Sequence, residues 1–128
     1  MSKVFRLPDY LDHMLAAAAQ ACSYIDGMDK VTFFGDKRTQ QAVVLNLIVV
    51  GEVAARLLHD HAPFLGGYPT IPWRNMNGMR NRIAHGYFDI DLAVVWDTVQ
   101  GALPQLVEVL PSIRDAADKQ ESNTRLEP

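Results

Sequence analysis

Residues 79–90 read MRNRIAHGYFDI, and Arg80, Asn81, Arg82, His85 and Tyr87 concentrate polar chemistry there as nowhere else in the chain. Each residue type has its own use. Arginine offers a planar fork of donors that fits phosphate oxygens. Histidine exchanges protons near neutral pH. A tyrosine hydroxyl can donate or accept, and its ring can stack beside a nucleotide. Metal-free cleavage of RNA needs a base for the ribose 2′-hydroxyl and a cation for the pentacovalent phosphorane, and Arg80 and His85 are the candidates for that pair. From Ile71 to Phe88 there are three arginines and no acid, a local charge of +3 in a chain of formal net charge −3. Spacing alone leaves a plainer alternative open: a solvated surface arginine, and a histidine that caps helix carbonyls and gains from the helix dipole.

The element that must position these residues is a helix from Trp73 to about Ala84, stopped at Gly86. Met76, Met79 and Ile83 share a stripe expected to face the core. Trp73, Asn77, Arg80 and Ala84 share a second, which points Arg80 away from that face, beside an alanine small enough to admit another chain or a ligand. His85 lies about 140° round an ideal helix from Arg80. A left-handed Gly86 would end the helix at His85 and let the imidazole and Tyr87 swing toward the arginine.

Turn signals divide the rest into three more helices, with scarce strand evidence and no repeat. The first opens after Leu7-Pro8-Asp9, carries Tyr10, Leu11, Met14, Leu15, Ala18, Cys22 and Ile25 at helical spacing, and stops near Gly27. The second starts at an Asp36 N-cap and runs to about His61, before Pro63. A loop rich in glycine and proline spans Pro63 to Pro72. The last helix begins after Asp89 or Asp91, continues to Leu110 and is expected to kink at Pro104. These elements predict an all-α, single-domain antiparallel bundle of four to five helices over residues 1–114, with 115–128 a polar flexible tail.

VVLNLIVV in the second helix is β-branched enough for a buried strand, but the uninterrupted pattern around it is too long for one. Its apolar residues cover nearly the whole circumference, where an ordinary surface helix keeps one polar face. A second copy of the same surface, a two-fold homodimer, would cover the outer side, and Gly51 would permit close helix approach. A central helix in a monomer is the alternative. Glu52 is expected to be a buried or interface carboxylate paired with an arginine, with only a minor claim on the site.

At 128 residues and 48% hydrophobic, the chain can fill one sizeable core. Its acidic balance gives no bulk field for nucleic acid, so any RNA contact must come from a local patch. The single cysteine, Cys22, cannot form an intrachain disulfide and reads as a small buried hydrophobe in a reducing compartment. The N-terminus lacks an apolar signal core, and the longest apolar run, interrupted by Asn46, falls short of a membrane span, so a cytoplasmic protein with no membrane partner is expected. His13, His59 and His61 fall in no ligand cluster, and neither a metal nor a cofactor is expected.

RNRIAHGY, with Arg80, His85 and Tyr87, resembles the R-x4-H-x-Y motif of the HEPN superfamily, specifically its HepT-like toxin branch. QAVVLNLIVVGEVAARLL and GYFDIDLAVVW resemble that branch as well, so the likeness spans most of residues 9–110. The resemblance implies a compact all-helical homodimer that cleaves RNA without a metal, and a cognate minimal nucleotidyltransferase antitoxin as partner. It implies Arg80 and His85 as the catalytic pair, Tyr87 as an RNA contact or the acceptor of nucleotidyl transfer, and Asn81 and Arg82 as supporting residues. Leu45 and Ile48 stand where the branch often has polar residues, and Gly51-Glu52-Val53 replaces its more usual glycine, glutamate, alanine. Other HEPN domains are non-catalytic adaptors for a nucleotidyltransferase or a nucleotide.

Overall fold

A computed structural model of the protein describes residues 5–126, with the side chains of Ala84, His85, Tyr87 and residues 124–126 outside the described set. Among the described residues the fold is all-α, without strands. The helices are α1 (Leu7–Tyr24), α2 (Lys30–Gly35), α3 (Lys37–Asp60), α4 (Ala62–Leu65), α5 (Trp73–His85), α6 (Leu92–Gln100) and α7 (Ala102–Leu126), with a 3-10 turn at Tyr87–Asp89.

The order of packing follows from the apolar stripes. Helix α3 lies between α1 and α5, and α1 lies between α3 and α7. Leu11, Met14, Ala18 and Ala21 of α1 are fully covered, and the small alanines let its neighbours approach closely. Val43, Leu47, Val50, Ala54 and Leu57 form the core face of α3. Helix α2 and the start of α6 close one end, where buried Phe33 packs on Trp96 at 5.2 Å between ring centroids.

Caps define the boundaries. Pro8 occupies the first turn of α1, where its missing N–H costs nothing, and the chain leaves α1 through Gly27 at φ 75°. Asp29 accepts from Thr32 N at 2.7 Å and starts α2, a short helix within the segment expected to connect the first two long helices. Asp36 starts α3 as expected, accepting from Thr39 N at 3.0 Å.

Two expectations for the C-terminal part are corrected. The last helix breaks at Gly101 rather than kinking at Pro104, which falls in the first turn of α7 and is tolerated there. The predicted tail from Asp115 is instead helical as far as Leu126. Leu103, Leu106, Leu110, Ile113 and Ala117 continue one buried stripe at spacings of three and four, and Arg114 ties α7 to α1 through Asp12 at 3.0 Å.

Helix α3 is long and apolar enough to cross a membrane by length and composition, with an 18-residue window of mean hydropathy 1.7. The sequence reading broke that run at Asn46, whose buried amide instead donates to Ala42 O at 3.0 Å. Much of the apolar character of α3 is accounted for by helices on two sides. An outer strip remains, with Leu45 62% and Val49 36% exposed.

Candidate active site

Helix α5 meets α3 nearly backbone to backbone at Gly51. A Cβ added at Gly51 would overlap the Cβ of Arg80 and come within 2.7 Å of the Met76 carbonyl oxygen, so only glycine fits. The close approach expected at Gly51 is therefore used within the chain, by α5. It also reorients the stripe carrying Arg80. Trp73 is buried, donating through its indole N–H to Tyr68 O at 3.3 Å, and Arg80 faces α3 rather than an open surface.

Once there, Arg80 is held from two sides. Its Nη1 donates to Glu52 Oε2 at 2.6 Å and its Nη2 to Asn77 Oδ1 at 3.0 Å. Glu52 is shared, because its Oε1 accepts from Arg56 Nε at 3.3 Å, one turn further along α3. The expected arginine partner of Glu52 is thus Arg80, in a half-exposed rather than buried setting. With 27% of the Arg80 side chain and 45% of the Glu52 side chain exposed, this pair contributes little to stability. The buried Nε of Arg80 finds no acceptor among the described residues.

At the other end of α5 the geometry departs from expectation. Gly86 has φ −136° and ψ 38°, so it is not left-handed; its N–H bonds to Arg82 O at 3.1 Å, and Asp89 N–H bonds to Gly86 O at 2.8 Å. The chain therefore runs directly from α5 into the 3-10 turn. The His85 and Tyr87 backbones belong to α5 and to that turn, while their side chains lie outside the described residues.

Asn81 and Arg82, the supporting candidates, are exposed and take no part in the Arg80 network. Arg82 lines a neighbouring cleft of about 310 Å³ with Ile83, Asp89, Asp91 and Val95. The +3 segment is consequently less positive in space than in sequence, since Glu52 sits on Arg80 and two aspartates share the Arg82 cleft. A larger groove of about 790 Å³ runs along the outer side of α3, lined by Gln41, Val44, Leu45, Ile48, Phe88 and Leu92 among others.

The remaining histidines are engaged elsewhere: His59 bonds to Asp60 at 2.6 Å, His61 packs edge-on to Tyr10, and His13 packs on Phe5. The bond from His59 is the main reason the Asp60 carboxyl lies below its ordinary range. No group of three His, Cys, Asp or Glu side chains among the described residues is placed to hold a metal ion. Cys22 is partly buried, and that burial raises its thiol pKa. Sequence reasoning placed Asn77 on the stripe of Arg80 but gave it no part in the site, and it underweighted Glu52. The available signal was an acid directly after a glycine inside an otherwise apolar run.

The family described as Ribonuclease HepT-like matches residues 14–113. The chain is 35% identical over 98 residues to the "Probable ribonuclease HepT" of Thermococcus cleftensis, covering 77% of this chain and 86% of that protein. It is 33% identical over 92 residues to a Methanocaldococcus jannaschii protein bearing a provisional RNase name, covering 72% of this chain and 74% of that one. No solved structure matches. A family match across most of the bundle, α5 included, supports a ribonuclease function, and the chain belongs to the HepT-like ribonucleases of the HEPN superfamily.

Proposed function

We propose that the protein is the toxin of a toxin–antitoxin pair, a metal-independent endoribonuclease acting as a homodimer and neutralised by a minimal nucleotidyltransferase. The observation that carries the reading is the fixed guanidinium of Arg80, held by Glu52 and Asn77 five residues before His85 on the same helix. Arg80 binds the scissile phosphate and stabilises the phosphorane. His85 takes the proton of the ribose 2′-hydroxyl as its oxygen attacks phosphorus. The bond to the 5′-oxygen breaks, that oxygen is protonated, and the products end in 2′,3′-cyclic phosphate and 5′-hydroxyl. In the dimer the Arg80/His85 pairs of both copies line one cleft.

A labelled RNA incubated with the purified protein tests this. Cyclic-phosphate ends, no cleavage where the target ribose is 2′-deoxy, and indifference to EDTA are expected. Cleavage that survives deoxy substitution, or stops with chelator, overturns the mechanism.

A second reading draws on the same contacts. Both terminal nitrogens of Arg80 already bond within the chain, as in a structural arginine, which fits a non-catalytic adaptor for a nucleotidyltransferase or its nucleotide. RNA left intact by the protein, with the partner still bound, favours that reading.

A further inference from the structure

We infer that Glu52 is a positioning residue for Arg80: it orients the guanidinium so that its remaining donors meet a phosphate, and its charge sets how tightly that phosphate is held. The inference rests on the nuclease reading of Arg80. Each terminal guanidinium nitrogen carries two hydrogens. One from Nη1 goes to Glu52 Oε2 and one from Nη2 to Asn77 Oδ1, which leaves one on each nitrogen to donate, on a side chain still 27% exposed.

The carboxylate is itself fixed. Its second oxygen is held by Arg56, and its backbone lies next to Gly51, where α3 and α5 are closest. A bare ion pair with these exposures would matter little to folding. Held at both oxygens, it constrains the direction of the fork, and orientation is where displacements of an ångström cost rate. The same negative charge opposes an incoming phosphate. Glutamine at position 52 keeps an acceptor for Arg80 without that opposition, and alanine leaves Asn77 as the remaining anchor.

The chain and its Glu52→Gln, Glu52→Ala, Arg80→Ala, Glu52→Ala/Arg80→Ala and Glu52→Gln/Arg80→Ala variants are compared in single-turnover cleavage of a labelled oligoribonucleotide. Binding of the all-2′-deoxy oligonucleotide is followed by fluorescence anisotropy. Glu52→Ala should lower the maximal rate about tenfold without weakening binding, and should add nothing in the Arg80→Ala background. Glu52→Gln should cleave within about threefold of the unmodified chain and bind the deoxy oligonucleotide several-fold tighter. Equal losses in both backgrounds, or a rate that glutamine does not restore, overturn the inference. If the unmodified chain cleaves no RNA, the nuclease reading fails and anisotropy decides alone. Tightening by Glu52→Gln that depends on Arg80 upholds the positioning role, and its absence overturns it. Should Glu52→Ala melt at a lower temperature, the near-isosteric glutamine variant carries the test.

Discussion

A lysine at position 80 would keep the charge and lose the fork. In the proposed reaction Arg80 spends one terminal hydrogen on Glu52, one on Asn77 and the other two terminal hydrogens on phosphate, a division that a single ammonium cannot reproduce. His85→Ala and Arg80→Ala are each expected to reduce RNA cleavage about a hundredfold or more with helicity unchanged, and Arg80→Lys to remain poor. Rates on a labelled RNA, beside far-ultraviolet circular dichroism, check both halves of that statement. Tyr87 has a different expected part. Tyr87→Phe should keep part of the cleavage yet resist nucleotidyl transfer; intact-mass analysis after incubation with a nucleotidyltransferase and ATP reads the result, and an adduct on the phenylalanine variant moves the acceptor elsewhere. At this scale the sequence brought Arg80, His85 and Tyr87 forward as candidates, because the three lie close together in the chain. It did not show what holds Arg80, because Glu52 is 28 positions away and only packing of α3 on α5 brings the two together.

At the scale of elements, the α3–α5 contact allows a sharp test. Gly51→Ala forces its new methyl group into Arg80 and the Met76 carbonyl, so the helices must part at a cost of about 1–3 kcal/mol. Thermal melts should show the destabilisation, and cleavage should fall with it as Arg80 moves off Glu52. The start of α3 makes a separate prediction. Backbone and hydroxyl bonds from Thr39 hold the Asp36 carboxyl below its ordinary range. Its contribution is therefore complete above the usual carboxylate value of about 3.9 and is lost as pH falls through the lower folded value. Asp36→Asn, still a good cap, should melt like the parent at neutral pH and lose less stability in acid, whereas Asp36→Ala should melt lower at neutral pH. The Asp36 cap of α3 and the proline in the first turn of α1 explain why those two starts were legible in the sequence. The course of α7 beyond Pro111 was not, because its buried stripe is thinned to Ile113 and Ala117 among charged neighbours. The left-handed Gly86 was a fair inference from composition, but the following 3-10 turn provides another way out of the helix.

For the whole molecule, the outer strip of α3 is the apolar surface that the bundle leaves uncovered. Leu45 at 62%, Val49 at 36% and Phe88 at 87% exposure border or extend the groove beside the strip, and contiguous apolar surface of this kind marks an interaction site. A second copy of the chain is the proposed cover. Sedimentation should show a homodimer at micromolar concentration and a monomer or aggregate for Val49→Lys; a well-behaved monomer of the unmodified chain would sink the proposal. The girth of α3 was visible from its residues alone, whereas the division between core face and outer strip needed the positions of α1 and α5. Gly51 and Glu52 are neighbours in the chain, yet they answer to different demands. The glycine is required wherever α5 lies on α3, whether or not any RNA is cut, since its clash would be with a Cβ that every residue but glycine carries at position 80. The glutamate, in the role inferred for it, matters only while Arg80 works on phosphate. A descendant that lost the role proposed for His85 but kept the bundle would be free to let position 52 drift and bound to inherit position 51.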